Sequence, residues 1–213
     1  MKIGVLGSGD VGKALARGFK KHGYDIRIGT GHKEKLQEFS SSENIKTGSF
    51  SEVSKFADIV VLALKGNVAK DVLNLAEEKH FKNKIIIDVT NPISEEPPKN
   101  GVLKFFTSLD NSLMEQLQNS FPKAKFVKAF NSIGNAFMVN PDFNGQKPSM
   151  FICGNNEDAK KEVRKIVELF GFEAEDMGKA ESARAIEPLS MLWCIPGLLK
   201  NKWSHAFKLL KKK

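Results

Sequence analysis

One tyrosine, two tryptophans, two cysteines and four histidines are all that 213 residues contain of these types. Each scarcity removes a class of mechanism. The lone tyrosine, Tyr24, has no lysine four residues later, so no Tyr-x-x-x-Lys catalytic pair exists. His22, His32, His80 and His205 are scattered, and no group of His, Cys, Asp and Glu has metal-ligand spacing. Cys153 and Cys194 cannot build a disulfide framework. Each reads as a small core residue rather than a nucleophile, and their scarcity suits a reducing, cytoplasmic compartment. No apolar run reaches the roughly 18 residues that a bilayer span needs. The chain opens on an apolar strand rather than a charged-then-apolar leader. Acidic residues are also short, 25 against 33 Lys and Arg, for a net charge of +8. Excess positive charge points to an anionic partner. The lysines are spread along the chain, with one dense block at Lys208-Leu209-Leu210-Lys211-Lys212-Lys213. That distribution favours small anionic ligands over nucleic acid, and a solvated tail.

What is present begins at the N-terminus. Residues 3–6 form an apolar run that predicts a buried strand. Gly7-Ser8-Gly9 predicts a turn, and residues 11–19 a helix with Val11, Leu15, Gly18 and Phe19 facing inward. Gly7, Gly9 and Gly12 fall at G-x-G-x-x-G spacing. Gly7 permits the tight turn, Gly9 leaves room for a pyrophosphate, and Gly12 lets the helix lie close to the strand. The helix N-terminus then offers free amides and a positive dipole end to the phosphates. The alternative is a tight strand–helix turn with no ligand.

The second strand, residues 24–28, ends in Gly29-Thr30-Gly31-His32-Lys33. An Asp or Glu at this point holds the adenosine ribose in NAD-selective folds. None stands there. Thr30, His32, Lys33 and Lys35 supply a hydroxyl and cations suited to a 2′-phosphate, so the pattern favours NADP. Residues 33–39 predict a short helix and Ser40-Ser41-Ser42 a loop. Residues 45–47 predict a short strand, and Ser51 caps a helix ending near Phe56.

Residues 58–64 are an unbroken apolar run, the mark of a central parallel strand. Leu64 and Lys65 lie at its carboxyl end, where such sheets bind ligands. Lys65 either reaches a phosphate or acidic substrate or is a solvated loop residue. Residues 68–78 are helical. Residues 84–89 predict a further strand ending in Thr90-Asn91-Pro92, where Asn91 is either a ribose or nicotinamide contact or a local Asn-Pro turn. Residues 94–104 are the longest irregular stretch, either a cover for the cleft or a mobile loop. Residues 112–121 are helical. Residues 125–130 form a sixth strand ending in Asn131-Ser132-Ile133-Gly134-Asn135.

The regular alternation predicts an α/β, Rossmann-type doubly wound parallel sheet over residues 1–135. Residues 136–213 predict a small α/β extension that closes the acceptor cleft. It has strands at 149–153 and 172–176, a helix at 157–170, and a last helix over 180–194 stopped by Pro196-Gly197. Trp193, Ile195, Leu198, Leu199 and Trp203 form either a homodimer contact or intrachain packing.

No histidine falls where a nicotinamide would lie, although Lys65, Asp88 or a distant Glu remain candidate bases. Hydride transfer between two cofactors needs little acid–base chemistry, mainly stacking and exclusion of water. The strand ends, rich in glycine, asparagine and apolar residues, suit that task.

These segments resemble the NADPH-dependent reductases of the deazaflavin coenzyme F420, and the related reductase domain of the STEAP ferric reductases. The resemblance is carried by Gly7-Ser8-Gly9-Asp10-Val11-Gly12-Lys13-Ala14-Leu15-Ala16, Ile28-Gly29-Thr30 and Asp88-Val89-Thr90-Asn91-Pro92. It continues through Val127-Lys128-Ala129-Phe130-Asn131-Ser132-Ile133-Gly134, Met150-Phe151-Ile152-Cys153-Gly154-Asn155 and Glu187-Pro188-Leu189-Ser190-Met191-Leu192-Trp193. It implies that Gly7, Ser8, Gly9, Asp10 and Val11 hold the pyrophosphate, with Asp10 as helix N-cap. It also implies that residues 131–134, with Asn131 and Ile133, line the nicotinamide pocket. The family has Gly-Ser-Arg after the second strand. Here Thr30 keeps the hydroxyl, Gly31 replaces the arginine, and His32 or Lys33 would stand in for it. The implied activity is NADP-dependent hydride transfer with F420, FMN or FAD as acceptor. An imine or hydroxy-acid reductase and a non-catalytic NADP-binding redox sensor are the rival readings.

Overall fold

The computed structural model describes residues 1–212 and leaves the Lys33 side chain outside that description. The first part alternates strand and helix: β1 (Lys2–Leu6), α1 (Asp10–Lys21), β2 (Asp25–Gly29), α2 (Gln37–Glu43), β3 (Lys46–Gly48), α3 (Phe50–Phe56), β4 (Ile59–Leu62) and α4 (Ala69–Leu75). It continues with β5 (Ile85–Asp88), α5 (Leu113–Ser120) and β6 (Lys125–Lys128). The six strands are parallel in the order β3-β2-β1-β4-β5-β6. The order reverses between β1 and β4, which opens a crevice at their carboxyl ends.

Period-two alternation assigns each face of this sheet its own core. Ile3, Val5, Ile59 and Val61 pack with Leu15 and Phe19 of α1. Leu6, Val60 and Leu62 pack with Val53, Leu73 and Leu117 of α3, α4 and α5. Both faces are covered, so β4 is apolar at every position.

The rest adds β7 (Ser149–Ile152), α6 (Glu157–Leu169), β8 (Glu173–Asp176) and α7 (Ala183–Lys200). β7 and β8 form a separate two-stranded parallel sheet, joined to β6 by a Lys128–Cys153 bridge. No helix among the described residues is long and apolar enough to cross a membrane.

Several local expectations are corrected. Ser40, Ser41 and Ser42 lie in α2, not a loop; Ser41 and Ser42 bond back to Gln37 and Phe39 carbonyls, as helical serines do. The cap of α3 is Ser49, because a capping box requires Glu52 three residues on; Ser51 instead bonds Glu77. Gly9, not Asp10, is the N-cap of α1, since Gly9 has the extended backbone of a cap and Asp10 is already helical. Pro196-Gly197 does not stop α7, which continues to Lys200 and ends at Asn201 in the left-handed region. Each internal proline forfeits a ladder bond. The Trp203 ring seated on Gly197, and the Trp193 indole N–H donating to the His205 carbonyl, help to offset that loss.

The stretch around residues 94–104 is a bridged hairpin. Ser94 N–H donates to the Lys104 carbonyl, Phe106 N–H to Pro92, and Gly101 at the tip rests against Leu199 of α7. Residues 208–212 are exposed but tethered. Ser149 N–H donates to the Phe207 carbonyl, and Lys208 and Lys211 pair with Glu173 and Glu175 of β8. β8 supplies the acids that tether them.

Candidate functional site

Five strand ends meet along one edge. Gly7 has φ +132°, and a Cβ there would fall 2.0 Å from the Ala63 carbonyl oxygen after β4. A Cβ on Gly12 would fall 2.2 Å from the Gly7 carbonyl oxygen. These two glycines are therefore fixed by contact within the protein. Gly9 differs: nothing lies within 4 Å of its missing Cβ. No side chain caps α1, so the amides of its first turn have no side-chain acceptor. Open space in front of those amides suits a phosphate-bearing ligand. Asp10 and Val11 sit beside it, Asp10 exposed at the positive end of the helix.

Thr30, after β2, is buried and links the turn to its neighbour. Its hydroxyl lies 3.3 Å from the Ser8 hydroxyl and accepts from the His32 N–H at 3.1 Å. Thr30 thus shapes the loop rather than pointing outward. His32 is exposed, and its ring Nδ1 lies 3.3 Å from a carboxylate oxygen of Glu34. Glu34 is an acid that the sequence reading passed over. Lys33 begins a single helical turn, and its side chain lies outside the described part.

On the other side of the crevice, Leu64 is half-buried and Lys65 exposed. A Cβ on Gly66 would fall 2.2 Å from the Asn91 carbonyl oxygen, so the β4 and β5 ends touch. The Asn91 side chain does not close a local turn. Its Nδ2 donates to the Asn131 carbonyl at 2.8 Å, and Asn131 Nδ2 donates to Asn91 Oδ1 at 3.0 Å and to the Ile186 carbonyl of α7 at 3.0 Å. Asn131 is 5% exposed, and its Oδ1 has no partner. An orphaned acceptor at the carboxyl edge of a parallel sheet is a place suited to an incoming N–H. Ile133 is buried, and the Trp193 ring lies against Gly134. Four gaps between neighbouring strands span about 19 Å, a length suited to an extended dinucleotide.

Below this edge lies a group that sequence reasoning missed. Lys128 is fully buried, with its ammonium 2.7 Å from Asp88 Oδ2, 2.9 Å from Glu187 Oε1, and donating to the Thr90 carbonyl at 2.9 Å. Burial disfavours the charge, but the two carboxylates outweigh it and hold the Lys128 pKa above its ordinary value. Asp88 also accepts from the Thr90 N–H and hydroxyl, and Glu187 from the Leu113 and Met114 amides that open α5. Asp88 is therefore no free base. A lysine and an aspartate at matched ends of two apolar strands were a visible signal; they are register partners across β5 and β6. Glu187, far along the chain, carried none. Cys153 lies beside the group, its thiol pushed up to about 12 chiefly by burial, which leaves it inert.

Comparison with known proteins agrees with this geometry. Residues 2–92 match the family described as NADP oxidoreductase, coenzyme F420-dependent. Over those residues the chain is similar to that family. The F420-dependent NADP reductase of Methanocaldococcus jannaschii is 29% identical over 205 residues, covering 90% of each chain. The metalloreductase STEAP3 of Rattus norvegicus is 31% identical over 204 residues, 93% of this chain. This chain spans only 39% of that relative. A crystal structure of a putative F420-dependent NADP reductase from Arthrobacter sp. FB24 superposes with a TM-score of 0.91 at 29% identity, over 99% of this chain and 100% of that one.

Proposed function

We propose that this protein is an NADP-dependent oxidoreductase that passes hydride between NADPH and a deazaflavin or flavin acceptor. The observation that carries the reading is the continuous edge from Thr30 through Ser8, Gly7, Gly66 and Asn91 to Asn131. NADPH supplies the hydride when bound. The chain's task is to hold, orient and keep dry. Gly7, Ser8, Gly9, Asp10 and Val11 present backbone to the pyrophosphate. His32 stands at the adenosine end, where Glu34 beside it tempers the preference for a 2′-phosphate. Leu64, Lys65 and Asn91 flank the ribose. Asn131 Oδ1 accepts an N–H from the nicotinamide amide, and Ile133 excludes water.

Residues 136–213 close the acceptor side of the cleft. The buried acids near the edge are both held by Lys128, which favours chemistry that needs positioning more than proton transfer. The strands β7 and β8 in the extension weigh against an imine or hydroxy-acid reductase with an all-helical second domain. Unpaired cysteines suit a reducing cytoplasm.

The test is anaerobic NADPH oxidation with F420, FMN and FAD offered in turn, and NADH in parallel. The expected result is oxidation by at least one of them, faster with NADPH. Tight NADPH binding without oxidation by any acceptor overturns hydride transfer in favour of a redox sensor.

A further inference from the structure

The outward face of α1 carries a groove that the glycine turn does not use. Asp10, Lys13, Arg17 and Lys21 recur every three or four residues and so share one side of the helix. The opposite side, with Gly12, Leu15, Ala16 and Phe19, is buried against the sheet. Facing the charged side are Asn135, Ala136 and Val139, from the segment that leaves β6. Together they line an open groove with a volume of about 500 Å³. Val139 lies against Gly18, which closes the floor with apolar atoms.

The wall of this groove is cationic. Three positive side chains stand against one carboxylate, Asp10 at the head. Lys13 and Lys21 make no ion pair among the described residues. Arg17 is shared with Glu43 at 2.6 Å and lies 5.0 Å from the Phe39 ring. Like charges four residues apart on a helix repel each other. An anionic occupant would turn that repulsion into attraction. Eight residues of helix separate Lys13 from Lys21, about 12 Å along the axis, with a cation about every 6 Å.

The groove opens where the strand ends do. Asp10 follows Gly9 directly, and Asn135 follows Gly134 at the end of the Asn131 segment. From there it runs down α1, away from the cleft. We infer that this groove holds an extended anionic arm, bearing phosphate or carboxylate groups, of the acceptor whose ring occupies the cleft beside Asn131. The inference rests on the reading that the site passes hydride to such an acceptor.

The test is calorimetric titration of tripolyphosphate and, separately, tricarballylate into protein saturated with NADPH, so that the glycine turn is already filled. At least one should bind with one-to-one stoichiometry. In the K13Q/K21Q variant its affinity should fall about tenfold, with NADPH affinity unchanged as the sign of an intact fold. A K70Q/K82Q control, which removes two exposed lysines elsewhere, should leave it unaltered. Tripolyphosphate alone assigns a phosphate arm; tricarballylate alone assigns a carboxylate arm. No binding of either, equal affinity in wild type and K13Q/K21Q, or an equal loss in the control overturns the inference. Failure of NADPH to bind would instead sink the hydride-transfer reading. The titration repeated on unliganded protein would still decide the groove by its dependence on Lys13 and Lys21.

Discussion

Asn91 and Asn131 hold each other twice, by a side chain–backbone bond of 2.8 Å and a side chain–side chain bond of 3.0 Å. Forty residues separate them in the chain. The pair fixes the orientation of the Asn131 amide and leaves its Oδ1 as the one unsatisfied atom of the arrangement.

Asn131→Ala should therefore lower the rate of hydride transfer about tenfold or more while changing NADPH affinity much less, since it removes an orienting acceptor. The same change strands the Ile186 carbonyl and Asn91 Oδ1, costing about 1–3 kcal/mol of stability. Single-turnover kinetics beside equilibrium binding separates the two effects. An unaltered transfer rate would remove Asn131 from the site.

The three glycines of the turn should divide into two behaviours. Gly9→Ala places its methyl in open space, so thermal stability should hold while NADPH affinity falls. Gly12→Ala drives a methyl into the Gly7 carbonyl and should lower stability by about 1–3 kcal/mol, as overpacking does. Melting curves with and without NADPH decide between them. Full cofactor affinity in the Gly9 variant would refute the pyrophosphate assignment.

Lys128→Met should cost about 3–5 kcal/mol, because it leaves Asp88 and Glu187 buried without their cation. Denaturant unfolding measures it. The raised pKa of Lys128 also sets a sign. Its stabilisation is complete below the unfolded lysine value, about 10.4, and drains away as pH rises through the higher folded value. Wild-type stability should decline in that alkaline window more steeply than that of the methionine variant.

At the acid end the relevant group is Glu115, which joins α5 to α7. The Arg184 guanidinium grips it at 2.6 Å and holds its carboxyl at about 2. This contribution is present above the unfolded glutamate value of about 4.3 and is lost as pH falls toward 2. Glu115→Gln should flatten the stability profile across that interval. A profile identical to wild type would show that the ion pair contributes nothing.

Much of this was readable from the chain because it is local. The apolar runs at residues 3–6 and 58–64, and the G-x-G-x-x-G turn between strand and helix, depend on neighbours in sequence. They predicted a parallel sheet whose strands end at Gly7, Lys65, Asn91 and Asn131, the residues proposed as its ligand edge. What escaped depends on distance or on competition. The grip of Glu187 on Lys128 and on the start of α5 joins residues that no spacing rule connects. Ser49 outcompeted Ser51 as a cap because of Glu52. α7 ran through Pro196 because tertiary contacts from Trp203 outweighed a local breaker. Ser41 and Ser42 of α2 met their hydroxyls' needs inside the helix rather than in a loop.

Two consecutive residues of α7, Ile186 and Glu187, bond respectively to Asn131 and to Lys128. The six-stranded sheet contains every strand of the proposed ligand edge, yet Asn131 on that edge and Lys128 below it are completed only by a helix from the far end of the chain. A nascent protein would thus acquire the proposed cofactor cleft in finished form only when its final helix docks. Ligand affinity then serves as a report on whether the last third of the chain has folded.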